Sequence, residues 1–460
     1  MKLRFPSVLA LLVITAPTFA ADQYHGEKYR PQFHFTPDKG WMNDPNGLVY
    51  NEGEYHLFFQ HNPRGTNWIP DLSWGHATSG DLVHWKYLPG ALPPLPLPGG
   101  KTAGSWSGSA LVDFNNSCGF QNGTDKPIVL VWTATSLGQC IAYSTDRGRT
   151  FTPYEHNPVI PMDPPKIGDW DRDPKVYWHE PTKKWVMAFS ISGKGVVFYS
   201  SPDLKHWTYE SLTPDLFECP DYFELPIDGD AKQTKWVIWD ASGKYFIGSF
   251  DGRAFTKEAG PFFIDYGHNY YAAQTWNNAP DARRIGIAWL RDGRYPDMPF
   301  NGQMSVPFEL TLRGTRDGVR LAKRPVRELD QLRYDTKEAK DIRLGHWKES
   351  AGETFEVESE IEPRGASAVV IKVRGATIRY SPGLLRVLDQ VAPLDVVDGR
   401  IKLRVLVDRT SLEVFANDGL TSVSCALLPP EGDQDVELAS ETGSAQVVSL
   451  HLSKMHSIWE

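Results

Sequence analysis

The apolar residues of this chain come in short runs separated by turn formers. Glu54-Tyr55-His56-Leu57-Phe58-Phe59, Ile128-Val129-Leu130-Val131-Trp132, Trp185-Val186-Met187-Ala188-Phe189, Trp236-Val237-Ile238-Trp239 and Ile285-Gly286-Ile287-Ala288-Trp289 are β-branched or aromatic and bounded by Gly, Pro, Asp or Asn. Such runs predict strands, and no long amphipathic helical pattern lies among them. Between the runs a polar signature recurs as Ser79-Gly80-Asp81-Leu82-Val83-His84-Trp85, Ser144-Thr145-Asp146-Arg147-Gly148-Arg149-Thr150-Phe151, Ser201-Pro202-Asp203-Leu204-Lys205-His206-Trp207 and Ser249-Phe250-Asp251-Gly252-Arg253-Ala254-Phe255. Each reads as a hairpin turn built on an Asp and closed by an aromatic ring. A repeat of roughly 50 to 65 residues matches a β-propeller blade and no helical repeat. Five apolar runs across about 300 residues therefore predict five blades.

The pattern changes near Arg324-Pro325-Val326-Arg327-Glu328-Leu329-Asp330-Gln331-Leu332-Arg333, where Pro325 suits the first turn of a short helix. Beyond it Thr354-Phe355-Glu356-Val357-Glu358, Ala368-Val369-Val370-Ile371-Lys372-Val373, Lys402-Leu403-Arg404-Val405-Leu406-Val407 and Leu412-Glu413-Val414-Phe415 alternate at strand period, which predicts a β-sandwich. The expected organisation is all-β: a leader over 1–20, a five-bladed β-propeller over 25–323, a linker over 324–344 and a C-terminal β-sandwich over 345–460.

The leader follows from Lys2 and Arg4, the apolar run Val8 to Ile14, and Thr18-Phe19-Ala20 before Ala21. Its apolar run is short and ends at Pro17, so a signal peptide is expected instead of a membrane helix. The mature chain is expected outside the cytoplasm, secreted or periplasmic, without membrane insertion. In an oxidising compartment, a staple between Cys118 and Cys140 is conceivable. The net charge of −9, with no long Lys or Arg run, argues against a nucleic-acid partner. Sixteen Trp residues suit either ring-on-sugar stacking or core filling.

If each aromatic turn closes a blade, the strand that follows lines the central channel. Polar clusters fall at those places: Trp41-Met42-Asn43-Asp44-Pro45-Asn46-Gly47, Trp106-Ser107-Gly108-Ser109, Trp170-Asp171-Arg172-Asp173-Pro174, Phe217-Glu218-Cys219-Pro220-Asp221 and Asp265-Tyr266-Gly267-His268. Asp44 alone fits an Asx turn equally well, since Asp-Pro-Asn-Gly is turn chemistry. Carboxylates from several blades converging on one funnel are another matter. Glycoside hydrolysis needs one ionised carboxylate at the anomeric carbon and one protonated group at the departing oxygen. Arg172 would favour ionised Asp173, whereas Glu218, between Phe217 and Cys219, reads as the better proton donor.

Trp41-Met42-Asn43-Asp44-Pro45-Asn46-Gly47, Phe58-Phe59-Gln60-His61-Asn62-Pro63, Ser73-Trp74-Gly75-His76-Ala77, Trp106-Ser107-Gly108-Ser109-Ala110, Arg172-Asp173-Pro174, Glu218-Cys219-Pro220 and Tyr271-Ala272-Ala273-Gln274-Thr275-Trp276 together resemble glycoside hydrolase family 32, the β-fructosidases. The resemblance covers the mature chain with its motifs in family order. It implies a propeller followed by a sandwich, Asp44 as nucleophile, Glu218 as acid and then base, and Asp173 as transition-state stabiliser. It also implies retention through a covalent fructosyl-enzyme, a fructose-containing saccharide as partner, and no metal or other cofactor. For the sugar itself it implies contacts from Trp41, Asn43, Gln60, Trp68, Trp106, Ser107, Arg172, Asp265 and Trp276. One departure stands out: where the family carries Trp-Arg-Gly, this chain has Phe300-Asn301-Gly302, which offers Phe300 as a replacement ring at the pocket rim.

Three alternatives remain open at this stage. A fructosyltransferase would use the same intermediate. A sialidase-like propeller would share the Asp turns but needs an arginine cluster and a Tyr nucleophile. A non-catalytic fructan-binding protein would have lost Asp44 or Glu218, and both are present. The sequence leaves the choice among levan, inulin and sucrose open, as it does the oligomeric state.

Overall fold

The computed structural model describes residues 25–162 and 171–459; the expected leader lies outside them. The first four-stranded blade is Gly40–Asn51, Glu54–Asn62, Ser73–Ser79 and Lys86–Leu92, the second Ser105–Val112, Ile128–Ala134, Gly138–Ser144 and Thr152–Pro153, and the third Arg172–His179, Lys184–Ile191, Gly195–Ser201 and Thr208–Thr213. Asp221–Ile227, Asp230–Trp239, Lys244–Phe250 and Phe255–Phe263 make the fourth, and Tyr270–Thr275, Arg284–Leu290, Phe308–Thr315 and Gly318–Pro325 the fifth. The five apolar runs are the second strands of the five blades. They are buried because neighbouring blades pack on both of their faces, as Trp74 and Trp132 do between the first two.

The recurring Asp sits at the turn between third and fourth strands in the first four blades. Asp81 Oδ1 accepts the backbone N–H groups of Val83 and His84 at 3.0 and 2.8 Å. Asp203 does the same with Lys205 and His206, and Asp146 with Arg149 and Thr150. These donors, added to side-chain partners, hold all three carboxyls below their usual range despite the opposing effect of burial.

The ring closes through the chain beside blade five. Phe300–Asn301 pairs in parallel with Gly40 and Trp41, Gly40 N donates to Pro299 O, and Asn277 exchanges backbone bonds with Leu48 and Tyr50. Phe300 is therefore interior. It lies 3.8 Å beneath the Arg30 guanidinium and is 1% exposed, so it forms no part of a pocket rim.

The C-terminal sandwich has two six-stranded sheets whose inner faces bury Phe355, Val357, Ile371, Val414 and Leu438. Residues 324–344, expected as a linker, contain a 3-10 helix over Arg327–Leu332 and then the edge strand Arg333–Leu344, which pairs with Ala445–Met455. Pairing along that strand joins it to the sandwich. The segment 25–39 runs along the seam with the propeller, where His34 bridges Asp408 and Glu413 at 2.8 Å each. All four cysteines are buried and unpaired, so Cys118 and Cys140 form no staple. Among the described residues no helix is long and apolar enough to cross a membrane.

Candidate active site

The innermost strands carry the polar clusters, and their sheet register explains how side chains there reach the channel. Pairing shifts between Met42 and Pro45, between Ser105 and Gly108, between Arg172 and Lys175, and between Tyr271 and Gln274. Each bulge inserts a residue and re-aims its neighbours at the channel end of the strand. Asp173 and Ala272 consequently adopt positive φ of 69° and 51°, and Cys219, just before the fourth blade, has φ of 46°. Sparsely populated backbone of this kind concentrates at functional sites. Gly47 follows the first bulge at φ 57°, where an added Cβ would lie 2.5 Å from the Phe58 ring. Asp44-Pro45-Asn46-Gly47 is therefore bulged strand, not an Asx turn.

A cavity of about 330 Å³ opens at this end of the propeller, lined by Trp41, Asn43, Asp44, Gln60, Trp68, Trp106, Arg172, Asp173, Glu218, Tyr271 and Trp289. Asp44 lies at its floor. Its Oδ2 accepts from Ser107 Oγ at 2.6 Å and Gln60 Nε2 at 3.2 Å, and its Oδ1 accepts from Asn43 Nδ2 at 3.2 Å. Asp173 Oδ2 accepts from the Cys219 backbone N–H at 3.0 Å. The Cys219 thiol stands between the two carboxylates, 3.6 Å from Asp44 and 3.5 Å from Asp173. Glu218 is nearer the mouth, its side chain 30% exposed. The Arg172 guanidinium contacts its Oε1, and the Tyr271 hydroxyl donates to Oε2 at 2.7 Å.

Two electrostatic expectations change. Arg172 engages Glu218 directly, while its Nε is 3.6 Å from Asp173. Glu218 thus sits among polar partners, not in an apolar setting. Asp173 is instead the deeply buried acid: burial pushes it up to about 7 against the pull of Arg172, with the charges of Asp44 and Glu218 adding to the rise. Burial raises Asp44 too, opposed by the bonds from Ser107 and Asn43. Burial and the three carboxylates hold the Cys219 thiol far above its ordinary range, so it is a neutral donor. Burial first, and the neighbouring carboxylates second, thus favour the protonated forms of Asp173 and Asp44.

Of the expected site residues, Trp41, Asn43, Gln60, Trp68, Trp106 and Arg172 line the cavity with the three acids, and Ser107 stands one layer behind, holding Asp44. Two do not belong. Asp265 is buried at the seam with the sandwich, ion-paired to Lys323 and accepting from Ser424 N and Oγ at 2.9 and 2.7 Å. Its place just before the fifth blade put it in the series by analogy, but its carboxylate turns to the second domain. Trp276 is wholly buried, stacked on Trp85, with its indole N–H bonded to His56 O at 2.9 Å.

Tyr271 and Trp289 were missed. The bulge after Tyr271 breaks strict alternation, so strand parity misplaces the side chains around it. Trp289 closes an apolar run that reads as core. Below the site, the channel is filled by side chains bonded across blades: Lys175 Nζ to Thr275 O at 2.6 Å and to Asp221 at 3.0 Å, and Gln274 Nε2 to Gly108 O at 3.1 Å. A larger cavity of about 560 Å³ between the last blade and the sandwich has paired charges, such as Arg324 and Lys402 with Asp418. Among the described residues no group of three or more His, Cys, Asp or Glu is arranged to hold a metal ion.

Residues 34–325 match the profile of the glycosyl hydrolases family 32 N-terminal domain, and residues 386–454 match that of the family 32 C terminal. A levanase of Bacillus subtilis (strain 168) is 38% identical over 523 residues, spanning 100% of this chain and 76% of that one. An extracellular exo-inulinase of Aspergillus ficuum is 32% identical, over 95% of this chain and 96% of its own. The crystal structure of exo-inulinase from Aspergillus awamori superposes with a TM-score of 0.87 at 31% identity, covering 95% of this chain and 100% of that one. Because the likeness runs through propeller and sandwich alike, in sequence and in fold, this chain belongs to glycoside hydrolase family 32.

Proposed function

We propose that this glycoside hydrolase releases terminal fructose from β-fructofuranosides, with retention, through a fructosyl ester on Asp44. The observation that carries the reading is the convergence of Asp44, Asp173 and Glu218, from three blades, on one pocket around Arg172. A nucleophile must be aimed at one carbon, and Asp44 at the floor is fixed by Ser107, Asn43 and Gln60. The proton donor must face the departing group, and Glu218 stands nearer the mouth. In the first step the Asp44 carboxylate bonds the anomeric carbon while the bond to the glycosidic oxygen breaks and Glu218 gives that oxygen its proton. In the second, Glu218 takes a proton from water as the water oxygen bonds the anomeric carbon and the bond from that carbon to Asp44 breaks, freeing the carboxylate. Sugar hydroxyls entering the pocket supply Asp173 and Asp44 with donors, favouring their ionised forms.

A channel filled below the site supports attack on chain ends, as does the name exo-inulinase among the relatives. The signal-like Met1 to Ala20, and a relative named as extracellular, support export. The test is incubation with levan, inulin and sucrose, resolving products over time and reading the first-formed anomer by NMR. Fructose from the first minutes, released as the β-anomer, is expected. No cleavage of any substrate, or α-fructose first, overturns the reading, and longer chains as the main product convert it to a transferase.

A further inference from the structure

The two oxygens of Glu218 are held by different groups, Oε1 by Arg172 and Oε2 by the Tyr271 hydroxyl. Arg172 also faces Asp173 and lies 5.4 Å from the Trp106 ring, so it serves the whole pocket. Tyr271 has a narrower task, and its ring stands beside the Ala272 bulge, where pairing does not fix the strand. Trp289 and Phe217 touch it from the sides, at centroid distances of 6.3 and 6.5 Å. Over its face lies the Arg291 guanidinium, 4.4 Å from the centroid.

Arg291 is pinned in turn. Its N–H donates to Asn269 O at 2.8 Å, its carbonyl accepts from Asn269 Nδ2 at 2.7 Å, and its Nε donates to His268 O at 3.2 Å. Asp292, 72% exposed, lies 3.6 Å from the same Nε and offsets only part of the charge. A guanidinium above a phenol is held by the ring quadrupole, and it draws electron density from the oxygen, which strengthens the O–H as a donor.

We propose that Arg291 is a positioning residue for proton donation to the leaving group: it clamps the Tyr271 ring and, through the phenol, holds the Glu218 carboxyl facing the departing oxygen. This rests on the β-fructosidase reading. Arg291 does not line the pocket, so it acts on the step where a proton moves and not on sugar binding.

The experiment compares wild type, Arg291→Met, Arg291→Lys, Tyr271→Phe and the Tyr271→Phe/Arg291→Met double variant on sucrose and on an aryl β-fructofuranoside, whose leaving group departs without protonation. Arg291→Met should lower kcat on sucrose about two- to fivefold with little change in KM. Arg291→Lys should recover most of the loss, which should be smaller on the aryl substrate, and the double variant should match Tyr271→Phe alone. Arg291→Gln replaces the Met variant if that one melts early. A raised KM with kcat intact, equal losses on both substrates, or a full additional loss in the double variant overturns the proposal. Wild type inactive on every fructoside overturns the underlying reading, whereas an active wild type with an unaltered Arg291→Met defeats this inference alone.

Discussion

Asp265 and Lys323 form an ion pair in which neither side chain meets solvent. Asp265 precedes the first strand of the fifth blade and Lys323 lies in its last, while Ser424 of the sandwich bonds the same carboxylate. One acid thereby ties both ends of a blade to the second domain. Asp265→Ala should leave the ammonium buried without its partner and cost about 3–5 kcal/mol of stability. Urea denaturation read beside steady-state kinetics checks this. The expected outcome is a lower midpoint with KM for sucrose unchanged, and a raised KM at unchanged stability would return Asp265 to the sugar pocket.

Asp173 carries a pH signature of opposite kind. Its folded value near 7 lies above the ordinary 3.8, so the unfolded chain loses this proton first as pH rises. Stability from this group therefore declines between about pH 4 and 7 and is flat above. Asp173→Asn should remove the penalty. The variant should be more stable than wild type by about 1–3 kcal/mol at pH 8, with the gain vanishing near pH 4, even as activity collapses. Denaturation curves at pH 4, 6 and 8 test the trend.

His34 runs the other way. Burial alone would lower its affinity for a proton, but hydrogen bonds and charge from Asp408 and Glu413 raise it to about 9. A raised value means that the stabilisation is complete below pH 6.5 and is lost as pH climbs through 9. His34→Gln should therefore be most destabilising near pH 6, and the difference from wild type should shrink by about 2–3 kcal/mol towards pH 9.5. A difference constant across that range would mean that His34 is not charged in the fold.

Much of the architecture was legible because its signals are local. The Asp turns name their own hydrogen bonds, and runs such as Ile128 to Trp132, short, β-branched and bounded by turn residues, read as strands buried on both faces. The convergence of Asp44, Asp173 and Glu218 was legible through position, each standing near the start of a blade. What stayed hidden depends on long-range geometry. Asp265 shares the sequence position of the other acids but faces a sandwich more than a hundred residues away. Within the one motif Tyr271 to Trp276, the pocket takes Tyr271, while Trp276 is wholly buried against Trp85. Arg172 does pair with its sequence neighbour Asp173, but Glu218, brought in by the next blade, shares the guanidinium, and sequence distance hid that second partner.

Those bulges separate two demands on the same strand. The residues that oppose a neighbouring strand keep the ladder in step, whereas the inserted ones lie outside that pairing and turn to the channel. Around these bulges stand Asn43, Asp44, Ser107, Arg172, Asp173 and Tyr271, so the stretches of strand that the sheet constrains least are the ones that build the pocket.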